Sequence, residues 1–236
     1  GLRRRLIAGL ILVLATSAAL APSSLIVIGG VGVAMALGGV LVRADARVNA
    51  WFVVASIIGL AGAWVANLPW SSTWTRVDLI GGAGSGERLG VWRALAGGGT
   101  GRWYDLLALG LWVPLLAAVL VSRAWRMTWA ARAAATVTAA AALIVLDDRR
   151  LIGPAIPSHA HLAVAIALGL ALGAAAITGG FNLDVLGRDF GWRQPLALLA
   201  NLGLVVGLLP ALVAVGAGDW RAPQTPTASL IASQFP

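Results

Sequence analysis

Cysteine and lysine are absent from the chain, and acidic residues are scarce. Without cysteine there is no disulfide, thiolate metal site or cysteine nucleophile. Without lysine there is neither a P-loop lysine nor a lysine Schiff base. All 17 basic side chains are therefore arginines, and against 9 acidic residues they give a net charge of +8. No Ser/His/Asp arrangement or complete catalytic motif is present, so composition and spacing alone do not name a reaction.

What the chain has in abundance is apolar residues, at 59%, with only 11% charged. Ordinary soluble domains have roughly 45–50% and 25%. The apolar residues fall in runs long enough to cross the ~30 Å hydrocarbon core of a bilayer as helices. The pattern predicts an all-α, polytopic transmembrane helical bundle. We expect about seven spans, at residues 6–21, 25–42, 50–68, 106–121, 127–146, 160–178 and 195–215.

The connections between the predicted spans are short, with one exception. Residues 70–105 form a longer loop, and residues 219–236 form a polar tail rich in Pro, Thr and Ser. The length fits a single transmembrane domain. The chain starts without methionine and stops inside the polar tail, so we expect a fragment of a longer protein with further N-terminal and C-terminal domains.

Arginine placement predicts how the protein lies in the membrane. Most arginines of the short connections fall on the side that holds the N-terminus, which the positive-inside rule assigns to the cytoplasm. We therefore expect a multi-pass plasma-membrane protein with the long loop and the C-terminus outside. The sequence pI is about 11.7, but arginines at span ends indicate membrane anchoring, so membrane lipids rather than nucleic acid are the expected partners.

Two features inside the predicted spans bear on packing. The second span contains five glycines, which let helix backbones approach closely in lipid; simple tolerance of glycine in membrane helices is the alternative.

Arg132 lies about one and a half turns inside the fifth span. Its side chain is long enough to reach the membrane surface, and we expect it to do so; a buried, functional arginine is the alternative.

The long loop holds the best candidates for a site. Arg76, Arg88 and Arg93 could hold the phosphate of a polyprenyl-phosphate or another anionic lipid, with Asp78 or Glu87 as a base. The simpler interpretation is structural: residues 87–96 suit a short amphipathic helix lying on the membrane surface. A non-catalytic contact with lipid or a partner is the third alternative.

Other motifs favour structural roles. The glycine-rich residues 81–86 lack the dinucleotide-binding spacing and indicate a linker. His159 and His161 lie on different faces of a helix start, whereas helical zinc pairs are spaced i, i+4. Asp147 and Asp148, followed by two arginines, suggest a self-paired and solvated loop. No metal or other cofactor is expected in this chain.

One segment is more specific. Residues 181–195 read FNLDVLGRDFGWRQP, in which LDVLG follows one span and FGWRQP opens the next. This segment resembles the C-terminal membrane region of large actinobacterial family 2 glycosyltransferases, and VWRAL at 91–95, WYDLL at 103–107 and GDWRAP at 218–223 are similar too. Independently of the resemblance, Trp192 and Arg193 are residue types that anchor a helix at the membrane surface. Pro195 is a residue type that fits the first turn of a helix.

The resemblance implies the membrane-spanning portion of a glycosyltransferase-like protein of cell-envelope glycan assembly. Such a portion would anchor a sugar-transfer domain and present a lipid-linked, polyprenyl-phosphate-linked or envelope glycan acceptor. The nucleotide-sugar-binding domain of that family is not in this chain, so any transferase activity would belong to the longer protein. The alternative is a non-enzymatic integral membrane module, transporter-like or an assembly protein.

Overall fold

A computed structural model of the chain describes residues 2–75, 79, 95, 103–151, 157, 159–184 and 191–217. In this part of the chain every regular element is a helix, which confirms the predicted all-α bundle. The elements are α1 (Leu2–Leu20), α2 (Ser23–Leu41), α3 (Ala46–Ala66), 3₁₀ helices at Trp70–Thr73 and Trp103–Leu111, α4 (Trp112–Val121), α5 (Trp125–Asp148), α6 (His159–Asp184) and α7 (Arg193–Gly216).

Each predicted span coincides with an apolar helix. Five helices are long and apolar enough to cross a membrane: α2, α3, α5, α6 and α7. The apolar helices at the predicted first and fourth spans are shorter, at Arg5–Leu20 and Asp105–Val121. The latter begins as a 3₁₀ helix and becomes α-helical only at Trp112. The protein is thus a membrane-spanning helical bundle, and the count of seven spans stays a prediction.

The bundle has two ends, which we name by residues in the connections. The Ser23 end holds the α1–α2 connection, the end of α5 and the start of α6. The Arg43 end holds the α2–α3 connection and the start of α5. At this end the Asp45 carboxylate accepts a hydrogen bond from the Arg47 backbone N–H (2.8 Å) and so caps α3.

The helices α2 and α5 end in the same way. Each has a left-handed arginine just beyond the helix, Arg43 (φ 52°) after α2 and Arg150 (φ 56°) after α5. The backbone N–H of each arginine and that of the following residue donate to carbonyls of the last turn. This is the Schellman arrangement, in which glycine is the usual left-handed residue.

Small residues make the packing close. Buried positions are dominated by alanine, for example Ala130, Ala133 and Ala140 on α5. Leucine and valine side chains cover the outside, with Leu202 57% and Leu212 64% exposed. Lipid is as apolar as leucine, so the tight van der Waals packing of small side chains holds helices together in a bilayer.

Helix α2 lies between two groups of helices. On one side it packs against α1 and α3, around Leu14, Ala18, Leu25 and Ala63. On the other side it packs against α5, which forms with α4 and α6 the largest buried cluster. The described contacts of α7 are mainly with α4 and the preceding 3₁₀ helix.

Two neighbouring glycines let α2 approach both groups at the Arg43 end. A Cβ added to Gly38 would lie 2.6 Å from the Ala131 carbonyl oxygen and 2.7 Å from the Arg132 Cα, both backbone atoms of α5. A Cβ added to Gly39 would collide with the Asn49 side chain of α3. The predicted packing role of glycine in this span is therefore confirmed at Gly38 and Gly39.

Candidate functional site

The most unusual side chain in the described structure is Arg132. Only 3% of its surface is exposed, so the expectation that it reaches the membrane surface is wrong. Gly38 and Gly39 bring α2 into close contact with the backbone of α5 and with Asn49 of α3. The arginine of α5 is therefore near enough to reach across α2 to Asn49. The arginine is buried, which is the first part of the alternative interpretation of a buried, functional arginine.

The guanidinium of Arg132 is hydrogen-bonded to the neutral side-chain amide of Asn49. Arg132 Nη2 donates a hydrogen bond to Asn49 Oδ1 (3.1 Å), and Asn49 Nδ2 in turn donates to the Ala36 carbonyl (2.8 Å). Asn49 is itself buried, 8% exposed. One polar chain therefore joins α5, α3 and α2. The asparagine is fixed by its second bond, so its oxygen is held toward the guanidinium.

Two aromatic rings flank the same guanidinium. The Arg132 Cζ lies 5.2 Å from the centroid of the Phe52 ring and 5.1 Å from that of the Trp129 ring. Both distances are within the range of cation–π attraction. Both rings are half-buried, so they lie between the guanidinium and the surface of the bundle.

The positive charge of Arg132 has no acidic partner among the residues that the structure describes. Its Nε is buried and makes no hydrogen bond. A guanidinium has five N–H donors in a planar fork that matches carboxylate and phosphate oxygens. The site is therefore a buried cation with an unused Nε–H donor, which favours an anion as ligand.

A second polar group lies at the Ser23 end. His159 Nε2 is 2.8 Å from Asp147 Oδ2, which joins α6 to the last turn of α5. His161 Nε2 lies 3.3 Å from Ser23 Oγ on α2. The two histidines thus face different helices, as their spacing predicts. Asp147, however, is not in a self-paired loop: α5 continues through Asp148, and Asp147 pairs across to α6.

In the described ranges, no three side chains of histidine, aspartate or glutamate are grouped closely enough to hold a metal ion. The 2.8 Å contact between Asp147 and His159 links α5 to α6.

An apolar cavity of about 130 Å³ lies between α2, α5 and α6. It extends from Pro157 at the Ser23 end to Thr136, and its walls include Gly30, Ala140 and Leu162. The Thr136 hydroxyl donates to the Arg132 carbonyl (2.9 Å), so the cavity ends one helical turn from the buried arginine. Its volume and lining suit a segment of an alkyl chain.

The predicted site residues of the long loop, Arg76, Asp78, Glu87, Arg88 and Arg93, lie outside the described residues. The predicted surface helix at 87–96 does too, except for Leu95. Leu95 packs against the largest buried cluster, and its carbonyl accepts a hydrogen bond from Trp112 Nε1 (3.0 Å).

The remaining two predicted contacts, Trp192 and Arg193, lie at the start of α7. Trp192 is 60% exposed, and the Arg193 Cζ lies 5.5 Å from the centroid of its ring. The Gly191 N–H donates to the Gln194 side chain (3.4 Å). The geometry is that of a helix start with an exposed aromatic–arginine pair, which suits a membrane surface.

Sequence reasoning missed Asn49, Phe52 and Trp129 as partners of Arg132. Asn49 is 83 residues from Arg132 in the chain, so no local spacing links them. One signal was present: Arg132 and Thr136 are four residues apart, on the alanine-rich face of α5 that packs inside the bundle.

Comparison of the chain with protein-family models, with curated proteins and with solved structures finds no match.

Proposed function

We propose that this chain is the membrane-spanning portion of a glycosyltransferase-like protein of cell-envelope glycan assembly, located in the plasma membrane. The observation that carries the proposal is the segment at residues 181–195, with its LDVLG and FGWRQP motifs between two spans. The bundle of apolar helices is the setting that such a segment requires.

In this role the bundle anchors a sugar-transfer domain and holds a lipid-linked acceptor near it. The predicted N-terminus is cytoplasmic, on the side where nucleotide sugars are found. The loop residues Arg76, Arg88 and Arg93 would contact lipid phosphate on the opposite side, with Asp78 and Glu87 nearby in sequence. The apolar cavity between α2, α5 and α6 offers space for part of a lipid chain.

The first test is the intact mass of the native protein purified from its own membranes, with peptide sequencing on both sides of this chain. A much heavier protein with a soluble domain bearing paired acidic residues supports the proposal. A mass near the 24.1 kDa of this chain contradicts it and favours a non-enzymatic membrane module, which flux measurements in proteoliposomes would then address.

The second test measures transfer directly. Membranes containing the native protein, supplied with radiolabelled nucleotide sugars, should label a lipid or glycan fraction. The double variant Asp78→Asn, Glu87→Gln shows whether the loop carboxylates or the sugar-transfer domain carry out the transfer. Unchanged labelling places the chemistry in the sugar-transfer domain, as proposed, and abolished labelling places it in the loop.

A further inference from the structure

We propose that Arg132 is an anion-binding site that takes the phosphate headgroup of a membrane amphiphile, at the seam between α3 and α5, which flank α2. The site is independent of the sugar-transfer domain proposed above, because each of its members lies in the described helices.

The charge of Arg132 is the first reason. An ion removed from water costs several kcal/mol unless it is paired. Arg132 is 3% exposed, yet its described contacts are one neutral amide oxygen and two ring faces. Its Nε–H has no acceptor. A phosphate would supply the opposite charge and accept two parallel hydrogen bonds from the guanidinium.

The position of the site is the second reason. Asn49 and Phe52 lie in the first two turns of α3, so the guanidinium lies roughly 5–10 Å from the helix ends at 1.5 Å per residue. With the helix ends at the membrane surface, a lipid phosphate reaches the guanidinium by descending only this distance. Arg43 and Arg47, both exposed, border the same end and add positive potential for an approaching anion.

Access from the lipid is the third reason. Helices α3 and α5 flank α2 rather than packing extensively against each other. The seam between them is covered by Phe52 and Trp129, both half-buried. Apolar rings can pack along an acyl chain while the headgroup reaches the cation behind them. An amphiphile therefore fits this approach better than a free phosphate, which would have to lose its hydration shell.

The variant test uses native mass spectrometry of the protein released from detergent micelles. The probes are dioleoyl phosphatidic acid, dioleoyl phosphatidylcholine and inorganic phosphate. We expect the wild-type protein to retain one phosphatidic acid in preference to phosphatidylcholine, and Arg132→Gln to lower that retention about tenfold, the effect of one charge-assisted pair. The matched control is Arg149→Gln, an exposed arginine at the other end of α5, which should retain the lipid.

Equal loss in both variants would show a general attraction of arginines for acidic lipid and would overturn the site. Displacement of the lipid by millimolar inorganic phosphate would show that the ligand is a free anion, which overturns the amphiphile assignment.

A second measurement needs no variant, because Arg132→Gln also removes the link between α5 and α3 and could misfold. Wild-type protein is irradiated with a phosphatidic acid that carries a photoreactive group near the phosphate, then digested with trypsin. Cleavage at the arginines gives peptides 48–76 and 127–132, which contain Phe52 and Trp129. Adducts on these peptides, competed by unlabelled phosphatidic acid, are expected. Adducts confined to other peptides would overturn the proposal.

Discussion

At the scale of single residues, the left-handed arginines beyond α2 and α5 are a local conflict between sequence and backbone. A left-handed backbone brings Cβ close to the following carbonyl, at a cost of about 1–2 kcal/mol for residues other than glycine. Arg43 and Arg150 both adopt it. At Arg43 the chain has a positively charged residue, which favours a cytoplasmic loop, at a position where glycine would fit the left-handed backbone better.

Replacing Arg43 by glycine should relieve this conflict. Arg43→Gly and Arg43→Ala both remove the charge, but only glycine adopts φ 52° without strain. We expect the glycine variant to be more stable than the alanine variant by about 1 kcal/mol, measured by thermal unfolding in a mild detergent. Equal stability would show that the left-handed turn costs nothing here.

The pair of Asp147 and His159 should couple α5 to α6. The two side chains are 2.8 Å apart, and the histidine is buried. Hydrogen bonds to charged groups contribute roughly 1.5–3 kcal/mol, and the partial exposure of Asp147 reduces this. A double-mutant cycle with Asp147→Ala and His159→Ala should give a coupling of about 1 kcal/mol in unfolding free energy. Additive effects of the two substitutions on the unfolding free energy would show that the contact contributes nothing to stability.

At the scale of helices, glycine decides how closely α2 approaches its neighbours. Gly38 and Gly30 are on the same helix, but their surroundings differ. A Cβ at Gly38 would be pressed against the α5 backbone, whereas one at Gly30 would meet nothing within 4 Å because this residue borders the apolar cavity. Backbone cannot move aside as a flexible side chain can.

Gly38→Ala should therefore destabilise the bundle by about 1–3 kcal/mol, the usual cost of overpacking. Gly30→Ala is the matched control and should be neutral or stabilising, since alanine is the better helix former. Both are read from thermal unfolding in the same detergent. A loss in the Gly30 variant as large as in the Gly38 variant would contradict the close-contact explanation.

The helices and their order were predictable, whereas the partners of Arg132 were not. A long apolar run is a local property, so the sequence places every span on an observed helix. The position of Arg132 depends on α2 and α3, which are remote in the chain, and on two glycines that let α2 approach both neighbours closely. The position of Arg132 along α5 alone predicted that its guanidinium lies at the membrane surface, because a long, flexible arginine side chain normally extends there. The long-loop candidates from Arg76 to Arg93 remain predictions.

At the scale of the whole molecule, the absence of cysteine makes the predicted orientation easy to test. Single cysteines at Ala124, between α4 and α5, and at Leu151, after α5, are both exposed positions. In intact cells a membrane-impermeant maleimide should label Leu151→Cys at once and Ala124→Cys only after permeabilisation. The reverse result would invert the positive-inside assignment.

The link between Arg132 and Asn49 also has a consequence for biosynthesis. Ribosomes deliver α3 to the membrane well before α5, so the amide and the Phe52 ring are already in place when the arginine arrives. An arginine at the centre of a helix raises the insertion free energy by about 2.5–3.5 kcal/mol, and one nearer the helix end, as Arg132 is, raises it by less. The early helices thus provide a template that lowers this cost, and removing Asn49 should first appear as poor insertion of α5 rather than as a defect in the finished bundle.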